Sequence, residues 1–200
     1  MGLNLSYSPG QTPINEEEKD GLKINTIVNQ AELDEFEQLN IEKAIAWTIQ
    51  QKFTVEKILS AIFIKSLHKR MFGDVWKWAG NFRNSEKNLG VPWTQINIEL
   101  HKLLDDTKFW ITEKSYPPEE IAIRFKHRLV SIHCFPNGNG RHSRLMADLI
   151  LETLTSQNAF NWGQNQMSQA NNTRKKYIAA LKIADGGNID DLLRFAKEKL

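Results

Sequence analysis

"HCFPNGNGRHSR", residues 133–144, interrupts two helical patterns and does not continue either. Upstream, Ile121, Phe125, Leu129 and Ile132 recur at threes and fours behind Pro117-Pro118 and an acidic pair, Glu119-Glu120, a start that suits a helix. Downstream, Leu145, Met146, Leu149, Ile150 and Leu154 repeat that spacing and predict a second helix from about Gly140 to Thr155. Arg141 and Arg144, with His142, then fall in the first turn, where the macrodipole already carries roughly half a positive charge. Cations placed there call for an anion. Gly138 and Gly140 permit backbone conformations in which successive N–H groups turn inward as an anion nest. Nest, helix N-terminus and two arginines on neighbouring parts of one face together describe a site for a polyphosphate. His133, carried in by the preceding helix, could take a proton from a hydroxyl as that hydroxyl attacks phosphorus. Such chemistry depends more on positioning and charge stabilisation than on covalent catalysis. The competing reading is a Gly/Asn turn between two helices with arginines that are merely exposed.

Working outward, the same 3.6-residue period covers most of the chain. Leu33, Phe36, Leu39, Ile41, Ala44, Ile45 and Ile49 predict a helix from about Gln30 to Gln51. Thr54 can cap a following helix that runs through Val55, Ile58, Leu59, Ile62, Phe63, Leu67 and Met71. "FGDVWKWAGNFR" (72–83) and the polar "NSEKNLGVPW" (84–93) then break the period, and the latter reads as a loop or short hairpin. Helical spacing returns over Ile96–Ile111, and the last part reads as two helices separated by Gly186-Gly187. Residues 1–28 lack periodicity and read as an arm. The expectation is an all-α protein, with an arm over 1–29 and one domain over 30–200.

Composition narrows the class. With 40% hydrophobic and 25% charged residues, ten Phe and six Trp, the 200-residue chain can bury a sizeable core. A formal charge of +2 is too mild for a general nucleic-acid binder. One cysteine, Cys134, excludes an internal disulfide framework and a cysteine-based zinc site, and reads as a small buried thiol. Residues 1–20 do not resemble a signal peptide, and no apolar run approaches the roughly 18 residues of a membrane span. A cytoplasmic location is expected.

The loop also carries a resemblance. It is similar to the signature of the Fic family, His-x-Phe-x-(Asp/Glu)-Gly-Asn-Gly-Arg-x-x-Arg, at every fixed position but one. "LHKRMFGDVWKWAGNFR" (67–83) resembles the segment before the Fic flap, and "RKKYIAALKIADGG" resembles the end of that fold. Within the family, "ELDEFEQLNI", "KNLGVPW" and "NGNGRHSRLMAD" look closest to the group called mobile mystery protein B. The resemblance implies a Fic-type helical bundle with a short β-hairpin flap. It also implies a protein adenylyltransferase, which moves AMP from ATP to a Ser, Thr or Tyr hydroxyl of a target protein and releases pyrophosphate. Position by position, His133 would be the general base and Phe135 the core anchor of the loop. Gly138, Asn139 and Gly140 would bind phosphates through backbone and amide donors. Arg141 would contact phosphates during catalysis, Arg144 the terminal phosphate, and Tyr177 is a candidate for the adenine pocket. The flap, around Asn88, Leu89, Gly90 and Val91, would add a target segment as an extra strand. A toxin-like setting with a helix-turn-helix antitoxin-like partner is implied by the group; direct nucleic-acid or membrane binding is not expected, and an oligomer stays open.

The departure is Asn137. The family has Asp or Glu there to hold Mg²⁺ between the phosphates; Asn keeps an oxygen but supplies no charge. This leaves open an adenylyltransferase with weakened or altered Mg²⁺ binding, or a Fic-fold enzyme with another donor or group (another nucleotide, a phosphate, or removal of AMP). It also leaves a weakly active nucleotide- or partner-binding module. Many Fic proteins are restrained by a glutamate in Ser/Thr-x-x-x-Glu-Gly/Asn, and no full match exists: Thr12…Glu16 and Ser115…Glu119 fit only the first five positions. Glu35 and Glu37 are possible inhibitory residues that could reach Arg144, although a solvated acidic face is the favoured reading. Trp47, Trp76, Trp78, Trp110 and Trp162 are expected in the core or behind the flap, with Trp93 beside it. His68, His101 and His127 show no metal-site spacing and are expected to be structural or exposed.

Overall fold

The computed structural model describes residues 12–156, 159–162 and 170–198. Among them the chain forms α1 (Glu16–Lys19), α2 (Gln30–Ile49), α3 (Val55–Ile58), α4 (Ala61–Phe72), α5 (Ile96–Thr112), α6 (Pro118–Ile132), α7 (Asn139–Thr155), α8 (Ala170–Asp185) and α9 (Asp190–Lys197), with a single 3₁₀ turn at Trp93–Gln95. The fold is all-α, as the apolar period predicts. Boundaries follow capping chemistry: Asn29 caps α2, Thr54 caps α3, and Ser60 caps α4. The single helix expected from 54 to 71 is therefore two, because the Ser60 hydroxyl accepts from Phe63 N and restarts the helix.

At the centre, α6 packs along α7, with α5 on the outer side of α6 and the α2–α4 pair nearby. The loop 133–138 joins α6 to α7, so the chemistry-bearing stretch sits at one end of the central pair. Its anchor is Phe135, fully buried and stacked on His68 at 3.7 Å between centroids. His68 fixes the loop from below. Its Nε2 lies 3.0 Å from the Asn137 carbonyl, while its Nδ1 accepts from Gly80 N at 3.1 Å. With Nδ1 an acceptor, Nε2 carries the proton and donates; burial holds the ring well below the ordinary imidazole pKa, so it stays neutral.

The arm is not detached. Ile14 and Ile27 are buried in the core, Lys23 N and Lys77 N exchange bonds with Val75 O and Gly21 O, and Leu22 bridges Trp76. Four apolar residues (Ile14, Leu22, Ile24, Ile27) in an aperiodic stretch carry no helical signal, yet they bury against the bundle without one. Residues 1–11 of the expected arm lie outside the described residues.

The hairpin expected in the flap is also corrected. No strand forms among the described residues, and 84–92 is a loop. Its carbonyls are gathered by one buried side chain in place of a partner strand. Arg83 donates Nη1 to Ser85 O (2.9 Å), Nη2 to Val91 O and Nε to His133 O (2.7 Å). The backbone closes the same joint: Arg83 N donates to Cys134 O and Val91 N to Ile132 O.

Candidate active site

His133 is delivered by the end of α6. It takes the left-handed C-cap conformation (φ 57°), which turns its side chain out of the helix and starts the loop. The ring is buried, and its Nε2 lies 2.9 Å from Thr12 Oγ1. Burial lowers its pKa to about 4, helped by the Arg83 and Lys87 cations and opposed by a hydrogen bond to the Val130 backbone. At neutral pH the imidazole is uncharged. With its other nitrogen turned to Val130, Nε2 is left as the acceptor, the form a general base needs.

Beyond His133 the chain passes Gly138, in the left-handed region (φ 78°), and starts α7 with no side-chain cap. Any Cβ at 138 would lie 2.6 Å from the Phe72 ring, so the turn needs glycine twice over. Gly138, Asn139, Gly140 and Arg141 all line one cleft of about 860 Å³, together with His133, Asn137, Arg144, Tyr177 and the flap residues Leu89 and Gly90. An uncapped helix end opening on a cleft offers its first-turn N–H groups to an anion. Gly90 (φ 107°) packs so closely that a Cβ there would meet His133 Cβ at 2.6 Å, which places this loop directly beside His133. Asn88 and Val91 flank it, Asn88 exposed and Val91 half-buried.

The two arginines differ. Arg141 Nη1 donates to Glu37 Oε2 at 2.6 Å, and its guanidinium lies over Phe72. Glu37 is buried, and its other oxygen accepts from Trp76 Nε1 at 2.6 Å. Neither a solvated face nor a reach to Arg144 describes Glu37: α2 turns it inward onto Arg141. Glu35, two residues earlier, is exposed. Glu16 pairs with Lys19 and Glu119 with Lys197, so neither partial inhibitory match supplies the site. Arg144 forms no ion pair among the described residues; its guanidinium lies 5.7 Å from the Tyr177 ring centroid. Burial presses its pKa down, partly offset by Tyr177 and Asp148, with Arg141 and Arg174 pressing the same way as burial. Tyr177 lines the cleft and its hydroxyl accepts from Lys126 Nζ at 2.5 Å.

Three expectations need correction here. The Asn139 amide is not free for phosphate. Its Oδ1 accepts from Phe135 N (3.0 Å) and its Nδ2 donates to Phe135 O (2.8 Å), which locks the loop and leaves only the backbone N–H facing a ligand. His142 is not a third cation: it is buried against Ile64 O, and burial lowers its pKa to about 3. Asn137 turns its amide inward, with Oδ1 accepting from Gly138 N and Nδ2 donating to Thr12 O at 3.1 Å. Among the described residues no group of three or more His, Cys, Asp or Glu could hold a metal. One neutral, already engaged oxygen does not fit a protein-held Mg²⁺, and Glu37, the buried carboxylate of the cleft, is paired with Arg141.

Cys134 matches its expectation, a buried thiol whose pKa burial raises to about 12. Among the tryptophans, Trp76 and Trp162 are buried and Trp93 is exposed beside the flap. His101 and His127 lie outside the cleft, the latter against Asp185 at 2.9 Å. His68 is structural, as expected, whereas sequence reasoning missed the part played by two residues, Arg83 and Thr12. Arg83 had a weak signal, an arginine ending an irregular aromatic block; Thr12 entered only as a partial inhibitory match, with nothing to place it on His133.

A bundle whose central hairpin loop presents a neutral histidine and an open helix end to one cleft has a known counterpart. Residues 58–151 match the model of the Fic/DOC family. It is 29% identical over 136 residues to a protein adenylyltransferase Fic of Aedes aegypti, a match covering 66% of this chain and 26% of that protein. The chain thus spans about a quarter of the length of the curated relatives it matches. Among solved structures it superposes on the N-terminal FIC domain of the Bep8 protein of Bartonella sp. 1-1C with a TM-score of 0.67 at 18% identity, covering 89% of this chain and 90% of that one. BepC of Bartonella tribocorum with bound AMPPNP gives 0.66 at 16% identity over 92% and 97%. No helix among the described residues is long and apolar enough to cross a membrane.

Proposed function

We propose that this chain transfers AMP from ATP to a hydroxyl of a protein target and releases pyrophosphate. The observation that carries the reading is the shared cleft. An uncharged His133, an uncapped α7 N-terminus and Arg144, without an ion pair among the described residues, open on one space. The target hydroxyl donates its proton to His133 Nε2 while its oxygen attacks the α-phosphorus. Backbone N–H groups of 139–141 face the phosphate charge, and Arg144 takes the far end of the chain. Arg141, held by Glu37, keeps one direction and reaches the phosphates from a fixed position. The names of the relatives and the AMPPNP-bound neighbour support ATP as donor. The flap beside His133 offers backbone groups to a target segment.

Labelled ATP with Mg²⁺ and a cell lysate tests this directly. His133-dependent label should appear on at least one protein, and its absence with every nucleotide tried would sink the reading. Loss of the general base should slow transfer by about 10²–10⁴-fold in His133→Ala. Asn137→Asp adds the carboxylate that a Mg²⁺ site wants and should raise the rate and the affinity for Mg²⁺. An unchanged or lower rate would favour the second reading, a module in which Asn137 holds the loop and the arm instead of a metal.

A further inference from the structure

The N-terminal segment enters the cleft as a substrate would. Thr12 is buried, and its hydroxyl stands 2.9 Å from His133 Nε2. Its carbonyl accepts from Asn137 Nδ2 at 3.1 Å. The next residue is held by the flap: Lys87 Nζ donates to Pro13 O at 3.1 Å and pairs with Glu18 at 2.5 Å. Trp78 Nε1 donates to Glu18 O, which fastens the start of the short α1. Thr12 and Ile14 line the same cleft as Gly138–Arg141 and Arg144. The segment is thus pinned by the flap, by Asn137 and by the base. These are the three features that a target segment would meet.

We propose that Thr12 is an acceptor of the chain's own transfer reaction, modified in cis to an AMP ester by the cleft it enters. The proposal rests on the transferase reading above and adds the identity of one substrate hydroxyl. A segment that merely blocked the site would need bulk or a counter-ion for Arg144. Thr12 supplies neither, and brings the one functional group that the base serves. The donor's space stays open beside it: a Cβ built on Gly140 meets no atom within 4 Å, and Arg144 keeps its freedom from ion pairs among the described residues. In the step itself, Thr12 Oγ forms a bond to the α-phosphorus as its O–H bond breaks. The proton passes to His133 Nε2. The bond between the α-phosphorus and the bridging oxygen breaks, and its electron pair leaves on pyrophosphate. The nucleophile is pre-placed, so the reaction is unimolecular in protein.

The purified 200-residue chain incubated with ATP and Mg²⁺ should gain the mass of one adenylyl group, mapped to Thr12 by tandem mass spectrometry. The gain should vanish in Thr12→Ala and His133→Ala, persist in Thr12→Ser, and proceed with a rate constant that dilution of the protein does not change. Four results overturn it. His133-dependent label on lysate proteins with an unmodified Thr12 removes the proposal and leaves the transferase. Self-labelling retained in Thr12→Ala places the acceptor elsewhere. A rate that falls on dilution makes the event intermolecular. No label on any protein removes the transferase reading and this proposal with it.

Discussion

The two sides of the cleft solve the same electrostatic problem in opposite ways. On the α2 side, Arg141 is matched by a buried carboxylate, Glu37, which is itself satisfied by Trp76. On the α8 side, Arg144 and the buried Lys126 lie against the Tyr177 ring and hydroxyl; Asp148 acts on Arg144 from a distance, but no carboxylate forms an ion pair with either among the described residues. Burial drives the Lys126 pKa well down, with Arg144 adding to it. One arginine has its ion-pair partner within the fold, and the other, three residues along the same helix, has none among the described residues.

Breaking the Arg141 side should have the largest effect. Glu37→Ala strands Arg141 and the Trp76 N–H, and removing one member of a buried pair costs about 3–5 kcal/mol. Arg141 is about one-third exposed, so the lower end is expected, read as a fall in the denaturation midpoint. A loss within about 0.5 kcal/mol, the range of an ordinary surface change, would show that the pair is not integral. Next comes the Arg144 side. Arg144→Ala should weaken ATP binding by about 10–100-fold, since a hydrogen bond to a charged group contributes about 1.5–3 kcal/mol. Calorimetry should show a smaller loss for ADP, and equal losses would refute contact with the terminal phosphate.

Acid should sharpen the picture further. His68, His133 and His142 all have folded pKa values below the ordinary 6.5, so the unfolded chain binds more protons as pH falls through that value. Each then removes about 1.4 kcal/mol of stability per pH unit, from about pH 6.5 down to its folded pKa. Asp148, raised to about 7 by burial, works the other way over much of that window. Denaturation midpoints measured from pH 7 to 5 should therefore fall, and a rise would mean that Asp148 dominates. The smallest effect belongs to Lys126. A buried cation without a counter-ion is often replaced at a gain, so Lys126→Met combined with Tyr177→Phe should be neutral or stabilise by about 1 kcal/mol. Marked destabilisation would show that the Lys126–Tyr177 contact contributes to the fold.

Legibility varied with the kind of signal. The main helices were written in apolar periodicity, and the two central ones were legible because Pro118 and the Gly138–Gly140 turn mark their starts. The place of His133 in the cleft was legible because the residue stands between an apolar stripe and a glycine turn. Glu37 was misread. Its neighbours Asp34, Glu35 and Glu42 make an acidic helix, and only α4 and the segment after it supply the Trp76 that lets one of those carboxylates be buried. The hairpin was misread because one buried cation at the start of the loop, Arg83, satisfies backbone carbonyls that otherwise need a strand.

By itself the sequence determined an α-helical chain with a glycine turn between its two central helices and a histidine entering that turn, because periodicity, capping and glycine chemistry are local. The tertiary structure alone decided which arginine is left unmatched, which asparagine is used for the loop, and that Thr12 meets His133 across 121 residues of chain. Those outcomes depend on counter-charges and hydrogen-bond partners from other elements, and long-range pairing of that kind leaves no period in the chain.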